Sequence, residues 1–287
     1  MLPVTASEIY FNPNPPKGEI IMKIGAQLYT VHNHTQTLED FSATLRKVAD
    51  IGYSAVQVSG TCPYKPEWLR DELSKNGLEC VLTHIPPARI LEEGADKIVA
   101  DHKVFGCRNI GIGIMPFYTG GKVWTLEDYH IFREKFIPVA KRMQELGATL
   151  HYHNHFQEFR DAFAEKSLLD CMLEDFPEGS LNITLDLGWA GWAGQDVVSL
   201  IEKYNGYISR IHLKDYMEPI PEGIEEDLAY LRPIYEGILD YDTYINALAK
   251  TDCEYMLVEQ DNSYGEDEFD CLKRSYVNVT SRFPNVK

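Results

Sequence analysis

The stretch ELGATLHYHNHFQEF, residues 145–159, decides how the chain is read. Its first half is a helix end, a glycine and a β-rich run. The same punctuation recurs in DIGYSAVQV (50–58), KNGLECVLT (75–83) and VFGCRNIGI (104–112), with Gly52, Gly77, Gly106 and Gly147 at the equivalent point. Glycine suits the left-handed position just past a helix C-terminus because it has no Cβ to clash there. A helix-to-strand joint is therefore used four times. The opposite joint is marked by Thr37-Leu-Glu-Asp40 and Thr125-Leu-Glu-Asp128, each a capping hydroxyl before an acidic first turn.

Outward from these joints, strands are expected at about 23–29, 54–58, 79–84, 108–114, 148–154, 181–186, 207–213 and 254–260, with helices between them. Phe41, Leu45 and Val48 mark one buried helical stripe. Eight strand-then-helix units in about 265 residues match a (β/α)8 TIM barrel, an α/β single domain expected over 22–287. An open doubly wound sheet is the alternative. It is weakened because Ala26-Gln27-Leu28 stands where a G-x-G-x-x-G turn would follow the first strand.

Residues 1–21 carry three prolines within six residues and no period, and are expected to form a flexible N-terminal tail. Lys17-Gly18-Glu19 is also what a purine-rich ribosome-binding sequence encodes in frame, with Met22 following. Translation starting at Met22 and a real flexible arm are the two readings of this segment.

The net charge of −17 and pI near 4.9 disfavour nucleic acid, since phosphate binding needs a Lys/Arg footprint. No apolar run approaches the ~20 residues of a membrane span, and no signal peptide is visible. The six cysteines are scattered without a C-x-x-C pair, as expected of unpaired thiols in a reducing compartment. A cytoplasmic protein with neither nucleic-acid nor membrane partners is expected.

In such barrels the active site lies at the C-terminal strand ends. Those ends carry Gln27 and Tyr29, Gln57 and Ser59, His84, His151/His153/His155, Asp186, His212/Lys214/Asp215, and Glu259/Gln260. One polar residue ending an apolar strand is explained by solvent. Imidazole and carboxylate ending four successive units is a donor set for a divalent ion such as Mn²⁺, Zn²⁺ or Co²⁺. Strand alternation gives His151, His153 and His155 one common face, so spacing alone does not choose among them.

GAQLYTV, the strand end THIP, YHNHFQEF, TLDLGW, RIHLKD and LVEQD, in this order from Met22 onward, resemble the xylose isomerase-like TIM-barrel superfamily. That superfamily includes sugar isomerases and epimerases, keto-inositol dehydratases and endonuclease IV. The resemblance implies one divalent metal, Mn²⁺ first with Zn²⁺ or Co²⁺ as alternatives, held by His153, Asp186, His212 and Glu259. His151 is the alternative strand-five ligand. Two departures stand out. His153 replaces a glutamate that many members use as ligand and acid/base, and Trp189 replaces a histidine three residues after the strand-six aspartate.

The resulting expectation is a metal-dependent enzyme acting on a keto-sugar or polyol through an enediolate, as isomerase/epimerase or as lyase/dehydratase. A 3-keto-glycoside-cleaving lyase subunit with a partner, and a non-catalytic sugar-binding barrel, are the alternatives. An endonuclease IV-like activity is disfavoured by the acidic charge. Glu158, His155 and Lys214 are candidate catalytic groups, with Lys214 alternatively paired to Asp215. His84, Trp189, Tyr29 and Gln57 are candidate substrate contacts, with Phe156 and Trp192 as further walls. Segments 115–123 and 216–236 are candidate lids or subunit contacts. The assembly is expected to be a homo-oligomer or a complex with a small subunit.

Overall fold

The computed structural model describes residues 22–121, 123–159, 166–221 and 229–286. The expected tail, residues 1–21, lies outside them, as do residue 122 of one candidate lid segment and residues 222–228, Leu228 included, of the other.

Eight parallel strands close into a barrel. In chain order they are β1 (Lys23–Gln27), β2 (Ala55–Val58), β3 (Glu79–His84), β4 (Asn109–Ile112), β5 (Thr149–His153), β6 (Leu181–Asp186) and β7 (Arg210–Leu213). A two-stranded antiparallel hairpin, β8 (Asp215–Met217) and β9 (Tyr230–Arg232), intervenes before β10 (Tyr255–Val258) closes the barrel against β1 and β7. Around it run α1 (Leu38–Ile51), α2 (Pro66–Asn76), α3 (Pro87–Val104), α4 (Leu126–Glu145), α5 (Leu168–Asp175), α6 (Leu187–Trp192), α7 (Val197–Lys203), α8 (Tyr241–Leu248) and α9 (Glu268–Arg282). The fold is a single-domain (β/α)8 barrel.

The joints form for the reasons read in the sequence. Gly52, Gly77, Gly106 and Gly147 take φ of 123°, 65°, 79° and 77°, values that cost an L side chain strain. Thr37 accepts from the Asp40 amide, and Thr125 with Asp128 completes a reciprocal capping box. Phe41, Leu45 and Val48 are fully buried in the core between helices and barrel.

Two local departures matter for the site. The first strand stops at Gln27, and Tyr29 sits in the 3-10 turn Leu28–His34, because the Gln27 side chain accepts from the Tyr29 amide and caps that turn. The segment after β7 is not one loop. Asp215 accepts from the amides of Tyr216, Tyr235, Gly237 and Leu239 and folds it into the hairpin and the turn before α8.

Candidate metal centre

His153, Asp186, His212 and Glu259 place one donor atom each within 4.8 Å of one another, and all four residues are buried. Register explains the convergence. Asp186 and His212 are paired neighbours at the ends of β6 and β7. Glu259 follows the last residue of β10, anchored by its amide to the Leu213 carbonyl at 2.9 Å. His153 ends β5, its Nε2 3.3 Å from Asp186 Oδ2 and 3.8 Å from Glu259 Oε2.

Three of the four donors are aimed by a partner on the far side. His153 Nδ1 donates to the Gly113 carbonyl at 3.1 Å, leaving Nε2 as the basic nitrogen. His212 Nε2 donates to Gln57 Oε1 at 2.7 Å, leaving Nδ1 basic. Asp186 Oδ1 accepts from the Trp189 amide at 2.7 Å as the N-cap of α6, so Oδ2 faces the cluster. Such outer hydrogen bonds fix tautomer and orientation in metal sites. Asn154 adds the frame: its side chain accepts from the Asp186 amide at 2.9 Å and donates to the Asp186 carbonyl at 3.3 Å.

His212 Nδ1 and Glu259 Oε2 lie 2.8 Å apart, yet neither makes a well-formed hydrogen bond. Buried polar atoms without partners are costly and rare. The Lys214 ammonium lies 3.0 Å from Glu259 Oε2, 3.3 Å from Asp186 Oδ2 and 2.8 Å from Asp261 Oδ2. The buried carboxylates of Asp186 and Glu259, with the partly exposed Asp261 beside them, outnumber the one ammonium, an excess of negative charge that a divalent cation would offset. Two imidazoles and two carboxylates are a donor set for such an ion, and the residues fit it.

The electrostatics follow from burial and these neighbours. Burial pushes the Glu259 and Asp186 carboxyls up, but Lys214 and the imidazoles outweigh it and hold both below the ordinary range. Burial pushes His153 down, while the bond to Asp186 and the field of Glu259 raise it above the usual value. Lys214 ends raised: burial opposes its charge, and Asp186, Asp261 and Glu259 more than compensate. His84 and His155 are driven well below the ordinary imidazole value by burial and then by His153, so both are neutral.

A cleft of about 950 Å³ opens over the cluster, walled near it by His84, His153, His155, Trp189, Glu259 and Asp261. The His84 ring is 5.3 Å from that of His153 and 5.8 Å from that of His212. Trp189 stands 4.7 Å beneath the Lys214 ammonium and 5.8 Å from the His155 ring. α6 can approach β7 closely because Gly188 has no side chain; a Cβ there would lie 2.2 Å from the Lys214 carbonyl oxygen.

Some candidates stand elsewhere. Glu158 is fully buried but does not line the cleft: it accepts from Tyr152 Oη at 2.7 Å and from the His155 amide at 2.8 Å. Gln57, a candidate substrate contact, is instead the partner of His212. Lys214 pairs with Asp261, not with Asp215, which is occupied by backbone amides. His151 lies one layer deeper than His153, within hydrogen-bond distance of Asn109 (3.1 Å) and Thr184 (3.4 Å). Tyr29 does line the cleft, half exposed and stacked on His32. Asp261 and Asn154 were not singled out from sequence; Asp261 lies in LVEQD, two residues past Glu259, on the same period that carries the ligand.

A family model described as xylose isomerase-like TIM barrel matches residues 45–274, so the chain belongs to that family. The inosose dehydratase of Bacillus thuringiensis (strain Al Hakam) is 22% identical over 251 residues, covering 77% of this chain and 83% of that protein. Among solved structures, a sugar phosphate isomerase/epimerase from Parabacteroides distasonis superposes with a TM-score of 0.73 at 18% identity, covering 94% of this chain and 99% of that one. The probable 3-DHS dehydratase AsbF of Bacillus anthracis gives 0.69 at 15% identity, covering 91% and 100%. Among the described residues no helix is long and apolar enough to cross a membrane.

Proposed function

We propose that the chain is a divalent-metal-dependent enzyme that removes a proton next to the carbonyl of a keto-sugar or keto-polyol and completes an elimination. The observation that carries this reading is the buried four-donor cluster at the floor of a cleft walled by neutral imidazoles and an indole. The dehydratase names among its relatives support the sugar-like substrate class.

A bound ion, Mn²⁺ first, would polarise the carbonyl and an adjacent hydroxyl. The chain's own groups do the rest. His155 is neutral and lines the cleft beside His153, so it is the group assigned to accept the C–H proton. His84, whose buried Nε2 is unpartnered, lies on the cleft wall to hold a substrate hydroxyl or return a proton. Trp189 offers a flat apolar face to the ring. Lys214 keeps Asp186 and Glu259 ionised.

Elimination is favoured over epimerisation because the strand-five glutamate of two-carboxylate epimerases is His153 here, and Glu158 faces Tyr152 rather than the cleft. The test is turnover of keto-inositols and ketohexoses by the Mn²⁺-loaded protein in D₂O. Loss of water with a new enone absorbance, accompanied by deuterium at the carbon next to the carbonyl in recovered ketone, supports the reading. Deuterium exchange with inversion and no elimination would replace it with epimerisation, and no exchange with any of these ketones would overturn it.

A further inference from the structure

The Lys214 ammonium and a divalent ion claim the same two atoms. Nζ lies 3.0 Å from Glu259 Oε2 and 3.3 Å from Asp186 Oδ2. Those oxygens are also the ones that meet the imidazoles. Glu259 Oε2 is 2.8 Å from His212 Nδ1, and Asp186 Oδ2 is 3.3 Å from His153 Nε2. An ion held by the four donors would therefore stand beside a positive charge and repel it.

Lys214 has no route by which to leave. Its N–H donates to Tyr241 Oη at 2.9 Å, and the same hydroxyl donates to its carbonyl at 2.7 Å. The backbone is thereby pinned at both polar groups, and only the end of the side chain is free to pivot. The residue is 1% exposed, with the Trp189 ring 4.7 Å from the ammonium. A buried ammonium without a counter-charge is costly. Once Asp186 and Glu259 serve an ion, Nζ needs a third anion within its short reach.

Asp215, the next residue, is not that anion, because its carboxylate accepts from the amides of Tyr216, Tyr235, Gly237 and Leu239. Asp261 is. Its Oδ2 lies 2.8 Å from Nζ, the shortest of the three carboxylate contacts, and it stands outside the four-donor cluster. Among the described residues Lys214 is the one partner its carboxylate shows. The chain on either side is fastened: the Gln260 amide donates to Thr30 Oγ1 at 2.9 Å, and Asn262 Oδ1 accepts from the Tyr264 amide at 2.8 Å.

We propose that Asp261 is a positioning residue that holds the Lys214 ammonium at the edge of the metal centre, so that lysine and ion do not compete for Asp186 and Glu259. The inference rests on the metal-dependent reading above and concerns affinity for the ion, not turnover. It differs from a direct attraction between the Asp261 charge and the ion, because it acts only through Lys214.

Calorimetric titration of the full chain with Mn²⁺ near pH 7.5, where carboxylates are ionised, tests this as a double-mutant cycle. Asp261→Asn is expected to weaken Mn²⁺ binding about 10–100-fold. Asp261→Glu, which keeps the charge, is expected to restore most of it. In a Lys214→Met background, Asp261→Asn is expected to change the affinity by less than about twofold. Unfolding midpoints, measured alongside, should show every variant folded, since Asp261 is partly exposed. Equal losses in the two backgrounds overturn the proposal, because Asp261 then acts on the ion by its own charge. So does an Asp261→Asn variant that binds Mn²⁺ as the parent does. A Lys214→Met variant that binds no Mn²⁺ also overturns it, since the ammonium then supports the ion instead of competing with it. In each of these outcomes a parent that binds Mn²⁺ leaves the metal-dependent reading standing, whereas a parent that binds none overturns both.

Discussion

His212 donates its Nε2 proton to Gln57 Oε1 at 2.7 Å, and that bond decides which imidazole nitrogen faces Asp186 and Glu259. The two residues are 155 positions apart in sequence, on β7 and β2, so the barrel's closure supplies the tautomer that a metal ligand needs. Gln57→Leu removes the acceptor and leaves the imidazole free to adopt either tautomer. Mn²⁺ affinity measured by calorimetry is expected to fall about 10–100-fold, while Gln57→Glu, which keeps an acceptor, retains more of it. Equal affinity in parent and Gln57→Leu would show that the bond does not set the ligand.

Glu158 and His155 are expected to separate under mutation. Glu158→Ala strands the Tyr152 hydroxyl and the His155 amide, and chemical denaturation should show a loss of about 1–3 kcal/mol. The metal-loaded variant should still exchange solvent deuterium into a competent ketone, because the carboxylate does not reach the cleft. His155→Asn should keep its stability and lose that exchange. An exchange-dead Glu158→Gln of parental stability would return Glu158 to the role of base.

Much of this geometry is legible in the sequence. The glycine joints and the capping threonines announce the barrel because each meets a local backbone requirement that few other residues satisfy. The polar ends of apolar strands locate the active face for the same reason, since alternation along a strand is a local property. What was not legible is tertiary. His151 and His153 share a face, and only the layering of Asn109 and Thr184 around His151 separates them. Glu158 lies past the end of β5, where the 3-10 turn Gln157–Phe159 ends the alternation that would tell its direction. Lys214 is adjacent to Asp215 in sequence, yet its partner Asp261 is 47 residues away.

His102 carries a pH dependence independent of the cluster. It is buried in α3, with Nδ1 donating to the Ile98 carbonyl at 2.7 Å and Nε2 2.8 Å from the Thr83 hydroxyl. Burial lowers its pKa to about 4. The unfolded chain takes this proton near the ordinary imidazole value and the folded chain only near 4, so stability falls as pH drops through that window. The share of His102 amounts to roughly 3 kcal/mol when fully expressed. His84, His151 and His155 shift in the same direction, so His102→Gln should reduce, not abolish, the slope of unfolding free energy against pH. An unchanged slope would mean that His102 titrates alike in both states.

The central claim is that His153, Asp186, His212 and Glu259 hold one divalent ion. It is tested most directly by counting Mn²⁺ on the purified chain, by elemental analysis after dialysis, beside Asp186→Ala and His212→Ala. The account predicts one ion per chain in the parent and none in either variant, with cooperative unfolding retained in all three because the core is built from the apolar positions of the strands. A parent that binds no ion after Mn²⁺, Zn²⁺ and Co²⁺ supplementation, or variants that keep theirs, would contradict it.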